Sequence, residues 1–166
     1  MGRTAEVARK TGETDIQIRI DLDGTGASTI DTGVGFFDHM LTALSRHSLI
    51  DMDIAVQGDT WVDDHHTVED TGIALGQAIA QALGDKRGIR RFADCAVPLD
   101  EALIQCALDI SGRGELFWDV PIGPDKVGTF DTELAQEFFC GFARQAGITL
   151  HLRELCGSNA HHIIEA

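Results

Sequence analysis

The chain has few basic residues, no long apolar run and no interdomain linker. Thirteen lysines and arginines stand against 27 acidic residues, which gives a net charge of −14. This charge disfavours nucleic acid and anionic membranes as partners, because both are polyanions. The sequence has no apolar run of about 18 residues and no signal-peptide core, so we expect neither membrane insertion nor export, and place the protein in the cytoplasm. Its 166 residues are expected to form one domain with a sizeable core.

The cysteines also lack a recognisable pairing motif. The chain has four of them, Cys95, Cys106, Cys140 and Cys156, and none shows Cys-x-x-Cys spacing. Cys106 and Cys140 lie on segments with an apolar pattern. This favours buried free thiols in a reducing compartment over disulfides.

One short motif, His-His-x-x-Glu, occurs twice, at residues 65–69 and 161–165, and holds four of the seven histidines. Imidazole and carboxylate are typical ligands of divalent transition ions. On a helix the first histidine and the glutamate share one face, whereas the second histidine points about 100° away. One such pair alone is more often a capping or surface feature. Two copies in register instead predict two metal sites.

The repeat extends beyond the motif. Glu13, Asp21, Gly24 and Gly26 recur with the same spacing as Glu101, Asp109, Gly112 and Gly114. The stretch 39–46 aligns with 137–144, which makes Glu137 the counterpart of His39. The single domain is therefore expected to contain two versions of one unit, residues 1–93 and 94–166.

Hydrophobic periodicity predicts the elements of each unit. In the segment 15–23, isoleucines alternate with Gln17 and Arg19, which is typical of a half-buried strand. The first unit is predicted to have strands 5–10, 15–23 and 27–31, helix 35–46, strand 51–56 and helix 66–83. The second is predicted to have strands 102–110 and 115–120, helix 132–146, strand 148–155 and a helix from about His161.

These elements predict an α+β fold. Duplicated β-β-β-α-β-α half-units would form two pseudo-symmetric sheets packed against helices, with the second half incomplete. The last helix of the first unit covers residues 66–83, whereas its counterpart begins near His161 and reaches only Ala166. An apolar sheet face would be left uncovered, so we expect the chain to be truncated at its C-terminus.

Several motifs together resemble one enzyme family. They are Thr14-Asp15-Ile16, Asp38-His39-Met40-Leu41, residues 65–70, Pro98-Leu99-Asp100-Glu101-Ala102, Ser111-Gly112-Arg113 and residues 161–166. In this order, over nearly the whole chain, they closely resemble imidazoleglycerol-phosphate dehydratase of histidine biosynthesis. The resemblance implies a lyase that converts imidazole glycerol phosphate to imidazole acetol phosphate with two Mn²⁺ ions per active site. It also implies trimers that assemble into a 24-subunit shell, with active sites between subunits.

The resemblance also implies roles for individual residues. The metal ligands would be His39, His65, His66, Glu69, His161, His162 and Glu165. Glu137 would be a further ligand, at a position where the family often has histidine. Glu13 would be the catalytic acid or base. Glu13 and His39 would contact the substrate, and Arg91 and Arg113 would anchor the substrate. The family continues past Glu165 with basic residues tied to phosphate binding, so we expect this chain to bind metal but turn over poorly.

Other interpretations remain open for some residues. Glu13 and Glu101 could both be exposed turn acids, and the resemblance favours a function only for Glu13. His47 fits a helix end electrostatically, His151 a structural role, and Trp61 and Trp118 packing or subunit contacts. Two rival functions are a metal-storage or di-metal redox protein, which would need long antiparallel helices, and an inactive assembly module.

Overall fold

The computed structural model describes residues 2–166, and the first half of the chain forms sheet A and two helices. Its elements are β1 (Thr4–Lys10), β2 (Thr14–Asp21), β3 (Ser28–Asp31), α1 (Gly35–Ser48), β4 (Asp51–Gly58) and α2 (His65–Leu83). All six were predicted, and their ends differ from the prediction by at most two residues.

The second half forms sheet B and two further helices. Its elements are β5 (Phe92–Leu99), β6 (Ala102–Asp109), β7 (Glu115–Asp119), β8 (Lys126–Val127), β9 (Phe130–Asp131), α3 (Leu134–Ala146), β10 (Thr149–Cys156) and α4 (Ala160–Glu165). The sequence did not predict β5 or the short β8–β9 hairpin. β5 begins at Phe92, two residues before the predicted start of the second unit. It is an edge strand and contains Pro98, which an edge strand tolerates.

The two sheets have the same topology. The strand order is β1-β2-β4-β3 in sheet A and β5-β6-β10-β7 in sheet B. In each sheet one neighbouring pair is parallel, β3 with β4 and β7 with β10, and the other pairs are antiparallel. The predicted α+β fold with duplicated half-units is confirmed.

Alternation along the strands places the core between the sheets and the helices. Ile16, Ile18 and Ile20 of β2 are at most 2% exposed. They lie opposite Val56, Ile54 and Met52 of β4, which are buried as well. The intervening Gln17 and Arg19 are exposed, as the period-two pattern predicts.

All four helices begin at the same edge of the molecule. We call this the upper edge; there β4 ends at Gly58 and β10 ends at Cys156. The lower edge is where these strands begin, at Asp51 and Thr149. Helices α1, α2 and α4 follow strands that end at the upper edge. Helix α3 leads into β10, which begins at the lower edge. The starts of the two histidine motifs therefore lie at the upper edge.

The inner faces of the two sheets are covered differently. Helix α2 packs on β1, β2 and β4 of sheet A, whereas the short α4 reaches only the start of β6 and the end of β5 in sheet B. An apolar cavity of about 280 Å³ lies beside α1, lined by Met40, Leu44, Val97 and Trp118 among others. No helix within residues 2–166 is both long and apolar enough to cross a membrane.

Helices α2 and α3 join the two halves through glycine contacts. A Cβ atom on Gly72 would overlap the carbonyl oxygen of Phe138, and one on Gly76 would lie 2.5 Å from the carbonyl oxygen of Phe142. The helices run parallel, because residues further along α2 meet residues further along α3. The absence of side chains at these glycines lets the two backbones approach closely.

Substitution of Gly72 by alanine is therefore expected to force α2 and α3 apart. Overpacking of this kind lowers the free energy of unfolding by about 1–3 kcal/mol. Urea denaturation would measure the loss. Gly123→Ala is the matched control, since a Cβ at Gly123 meets no atom within 4 Å. Equal stability of the two variants would contradict this account of the helix contact.

Candidate metal centre and active site

Two histidines and a glutamate from two helices meet at the upper edge. The donor atoms of His39 on α1 and of His161 and Glu165 on α4 all lie within 4.8 Å of one another. The distance to Glu165 Oε2 is 3.0 Å from His161 Nε2 and 3.7 Å from His39 Nε2. No other group of three such donors occurs in residues 2–166. Imidazole and carboxylate donors at this spacing suit a divalent transition ion.

The local structure explains why the donors converge. Asn159 caps α4, and its side-chain oxygen accepts hydrogen bonds from the backbone N–H groups of His161 and His162. Glu165 follows His161 by four residues, so the two side chains lie one helical turn apart on the same face of α4. The Phe36 ring packs against the His161 ring with centroids 5.2 Å apart, which helps to hold α1 against α4.

The first motif gives a pair rather than a triad. His65 opens α2, and its Nε2 lies 3.7 Å from Glu69 Oε2. Glu137, the predicted counterpart of His39, lies half-buried in the first turn of α3. Within the described residues it joins no three-donor group. The structure thus brings three of the eight predicted ligands, His39, His161 and Glu165, into one group and places two more, His65 and Glu69, as a pair.

A carboxylate orients the second histidine of each motif. His66 Nδ1 is 3.0 Å from Asp59 Oδ2, and His162 Nδ1 is 2.7 Å from Glu101 Oε2. A carboxylate can only accept at these contacts, so each Nδ1 carries the proton and each Nε2 is the nitrogen available to an ion. The same hydrogen bonds raise the pKa of both imidazoles above the usual 6.5. An ion that binds there must displace a proton, so its binding strengthens as pH rises.

The two equivalent glutamates have different surroundings. Glu101 accepts hydrogen bonds from His162, from the backbone N–H groups of Ser158 and Asn159 and from the Ser158 hydroxyl. These contacts, above all the one with His162, lower the pKa of Glu101 to about 2. Glu101 therefore supports the start of α4, a role that the sequence left open.

Glu13 occupies the matching turn between β1 and β2 and is exposed. Its negative charge contributes to the raised pKa of His66, which places it near that imidazole. Its backbone N–H donates to Thr11 Oγ1 at 3.1 Å, which fixes the turn. Within residues 2–166 its carboxylate accepts no hydrogen bond.

The two predicted substrate-binding arginines lie at the lower edge. Arg91 donates two hydrogen bonds to the Asp109 carboxylate at 2.6 and 3.0 Å, and Arg113 lies 3.7 Å from the same group. Arg91 holds the pKa of Asp109 below its usual range. Helix α2 alone spans about 28 Å between the two edges. Arg91 and Arg113 are thus remote from the histidine motifs of their own chain.

The remaining candidates have separate environments. His47 is exposed in the last turn of α1, and His151 stacks on Phe117 with ring centroids 4.3 Å apart on the outer face of sheet B. The indole N–H of Trp118 donates to the carbonyl oxygen of Val120 at 3.1 Å. Trp61, by contrast, is 84% exposed in the loop before α2.

Sequence reasoning missed Asp59 and the role of Asp109. Asp59 directly follows β4 and lies seven residues before His66. The only sequence feature that could have indicated this role is the position of its carboxylate in the loop that leads into the motif. Its contact depends on how that loop folds back on α2, which no local pattern specifies.

Asp59→Asn is expected to weaken metal binding by about 10–100-fold, because partners that orient a ligand histidine contribute on that scale. The substitution keeps the shape of the side chain and removes its charge. Competition with a chelating dye would measure the affinity. Asp23→Asn is the control, since Asp23 pairs with Arg3 at the surface. An unchanged affinity in the Asp59 variant would show that His66 needs no such support.

The chain is similar to known proteins of one family. A family model described as imidazoleglycerol-phosphate dehydratase matches residues 32–166. A protein of that name from Jannaschia sp. (strain CCS1) is 60% identical over 164 residues, which cover 99% of this chain and 84% of the relative. One from Agrobacterium fabrum is 62% identical over 163 residues, covering 98% and 82%.

Solved structures show the same relationship. The imidazoleglycerol-phosphate dehydratase of Staphylococcus aureus has a TM-score of 0.89 at 40% identity, covering 98% of this chain and 90% of that one. The Pyrococcus furiosus structure, solved in complex with (S)-C348, has a TM-score of 0.84 at 38% identity, covering 96% and 85%. These matches confirm the resemblance found in the sequence motifs. The chain belongs to the imidazoleglycerol-phosphate dehydratase family.

Proposed function

We propose that the protein is a hydro-lyase that dehydrates imidazole glycerol phosphate to imidazole acetol phosphate in histidine biosynthesis, with two Mn²⁺ ions per active site. The observation that carries this proposal is the group formed by His39, His161 and Glu165 in a chain of this family. The first motif supplies His65 and Glu69, a matching pair of donors.

The donor set fits divalent manganese. One ion would be held by His39, His161 and Glu165, and the other ligands would be His65, His66, Glu69, Glu137 and His162. Within each motif the second histidine points away from the first, so it serves a different ion. When bound by these residues, Mn²⁺ would supply Lewis-acid stabilisation of negative charge on the imidazole of the substrate.

Glu13 would transfer the proton. Dehydration removes a hydroxyl group and a proton from neighbouring carbons, so a group that can take up and return a proton must lie beside the bound substrate. Glu13 is exposed at the upper edge near His66 and has an unengaged carboxylate. Glu101, its counterpart, is held by several donors and would position His162 and the start of α4 rather than transfer a proton.

The phosphate would be held by Arg91 and Arg113. Guanidinium groups bind phosphate oxygens through paired hydrogen bonds. These arginines lie at the lower edge, however, and one substrate cannot bridge about 28 Å. Asp109 holds Arg91 and lies near Arg113, so it would keep both cations in one place.

We therefore propose that each active site combines the upper edge of one chain with the lower edge of another. Assembly into trimers and a 24-subunit shell would bring such edges together. Trp61 and Val62, 84% and 62% exposed beside the first motif, offer an apolar contact for a neighbouring chain. Self-association would then be a condition for activity rather than only for stability.

The test is turnover with controlled metal content. Protein depleted by a chelator should not form the ketone product from imidazole glycerol phosphate, and added Mn²⁺ should restore turnover. Full turnover without metal would contradict the proposal. Metal uptake with no turnover at all, not even the poor turnover expected from the sequence, would favour the storage or assembly functions instead. The storage function already fits poorly, because the motifs lie beside two sheets rather than on a bundle of long antiparallel helices.

A further inference from the structure

Two cysteines face each other across the β5–β6 hairpin. Cys95 and Cys106 are direct partners in the antiparallel register. Directly opposite residues place their side chains on the same face of a sheet, with Cα atoms about 4.5–5.5 Å apart. A disulfide needs a Cα separation of about 4.4–6.8 Å, and a directly opposite pair lies within that range.

The two thiols differ in their surroundings. Cys95 is exposed on the edge strand, Cys106 is half-buried, and both are free thiols. Burial, together with the negative charge of an ionised Cys95, raises the pKa of Cys106 to about 11. The second effect requires that the two sulfur atoms lie close together. Cys95 is therefore the thiol that an oxidant in solution reaches first.

We propose that Cys95 and Cys106 form a redox pair that a peroxide converts into an intrachain disulfide. The Cys95 thiolate attacks the peroxide, the O–O bond breaks, and Cys95 becomes a sulfenic acid while one water forms. The Cys106 sulfur then attacks the Cys95 sulfur, its proton goes to the departing hydroxide, and a second water leaves. Two thiols are oxidised and one hydrogen peroxide is reduced, so the step is balanced.

The bridge would act on the hairpin that supports the metal centre. Within residues 2–166, β6 is the only strand that pairs with β5, and the hairpin turns tightly between Leu99 and Ala102. Glu101 lies in that turn and holds both the start of α4 and His162. A disulfide at residues 95 and 106 closes a loop around the turn, so oxidation restricts the motion of the group that orients His162. Disulfides in a reducing compartment are commonly transient devices of this kind.

The experiment counts thiols before and after exposure to hydrogen peroxide. The protein is unfolded in N-ethylmaleimide, and its intact mass is measured. Reduced protein should carry four maleimides, one for each cysteine. Oxidised protein should carry two, and digestion should yield a peptide that links Cys95 to Cys106. Dithiothreitol should restore all four sites.

Two variants test whether Cys106 is the partner of Cys95. Cys106→Ala should yield no disulfide and should leave Cys95 as a sulfenic acid that dimedone traps. Cys140→Ala should still form the bridge, because Cys140 lies on α3, away from the hairpin. The proposal is overturned if four thiols survive peroxide, if Cys95 is recovered as a sulfinic acid without a cross-link, or if the bridge joins other cysteines or two chains.

Discussion

Replacement of His161 by alanine is expected to remove most of the metal from its site and to abolish nearly all turnover. His161 is the central member of the three-donor group, since Glu165 lies directly beneath it and the His39 ring lies 5.6 Å away. Lewis-acid stabilisation of a transition state is worth several kcal/mol, so kcat/KM should fall by about three orders of magnitude. Metal analysis and steady-state kinetics on the same sample would measure both effects.

His151→Ala is the matched control for that prediction. It also removes an imidazole, but from the outer face of sheet B, where His151 stacks on Phe117. Its metal content and kcat/KM should match those of the parent protein. If the control lost metal and the His161 variant kept it, the histidines would be wrongly assigned.

Asp70→Ala is expected to produce the largest loss of stability. Asp70 lies on α2 under sheet A, where its carboxylate pairs with Arg9 at 2.6 Å and accepts a hydrogen bond from the Thr14 hydroxyl at 2.6 Å. The Arg9 side chain is only 25% exposed. Removal of one partner leaves a largely buried charge without compensation, which costs about 3–5 kcal/mol. The free energy of unfolding from urea denaturation is the quantity to measure.

A surface pair on the same sheet provides the comparison. Lys10 pairs with Asp15 across β1 and β2, but both side chains are well exposed. Asp15→Ala should therefore lower the free energy of unfolding by no more than about 1 kcal/mol. Similar losses in the Asp15 and Asp70 variants would show that the Arg9–Asp70 pair does not anchor α2 to the sheet.

The sequence was sufficient for the duplicated fold, because local patterns specify most of it. Isoleucines at every second residue of β2 and the apolar face of α2 identify a strand and a helix without tertiary information. Strand β5 lacked such a signal. It mixes Asp94, Cys95 and Pro98 with apolar residues, and as an edge strand it is exposed on both faces. Its position depends on pairing with β6, which local periodicity does not encode.

The site could be predicted only in part, for a similar reason. The repeated motif predicted histidines and glutamates as metal ligands, and helical spacing paired His161 with Glu165. That His39 joins this pair depends on α1 packing against α4, a contact between the two halves. The motif said nothing of Asp59, and it could not show that Arg91 and Arg113 lie at the other edge of the molecule.

The most direct test of a site shared between chains is complementation. His161→Ala damages the upper edge and Arg113→Ala the lower edge, so each variant alone should be nearly inactive. The two variants, carrying different affinity tags, would be co-expressed, and assemblies that contain both tags would be isolated and assayed. With random mixing, roughly a quarter of the sites would combine two intact edges, and turnover should recover to about that fraction. Mixed assemblies as inactive as either parent would contradict the account.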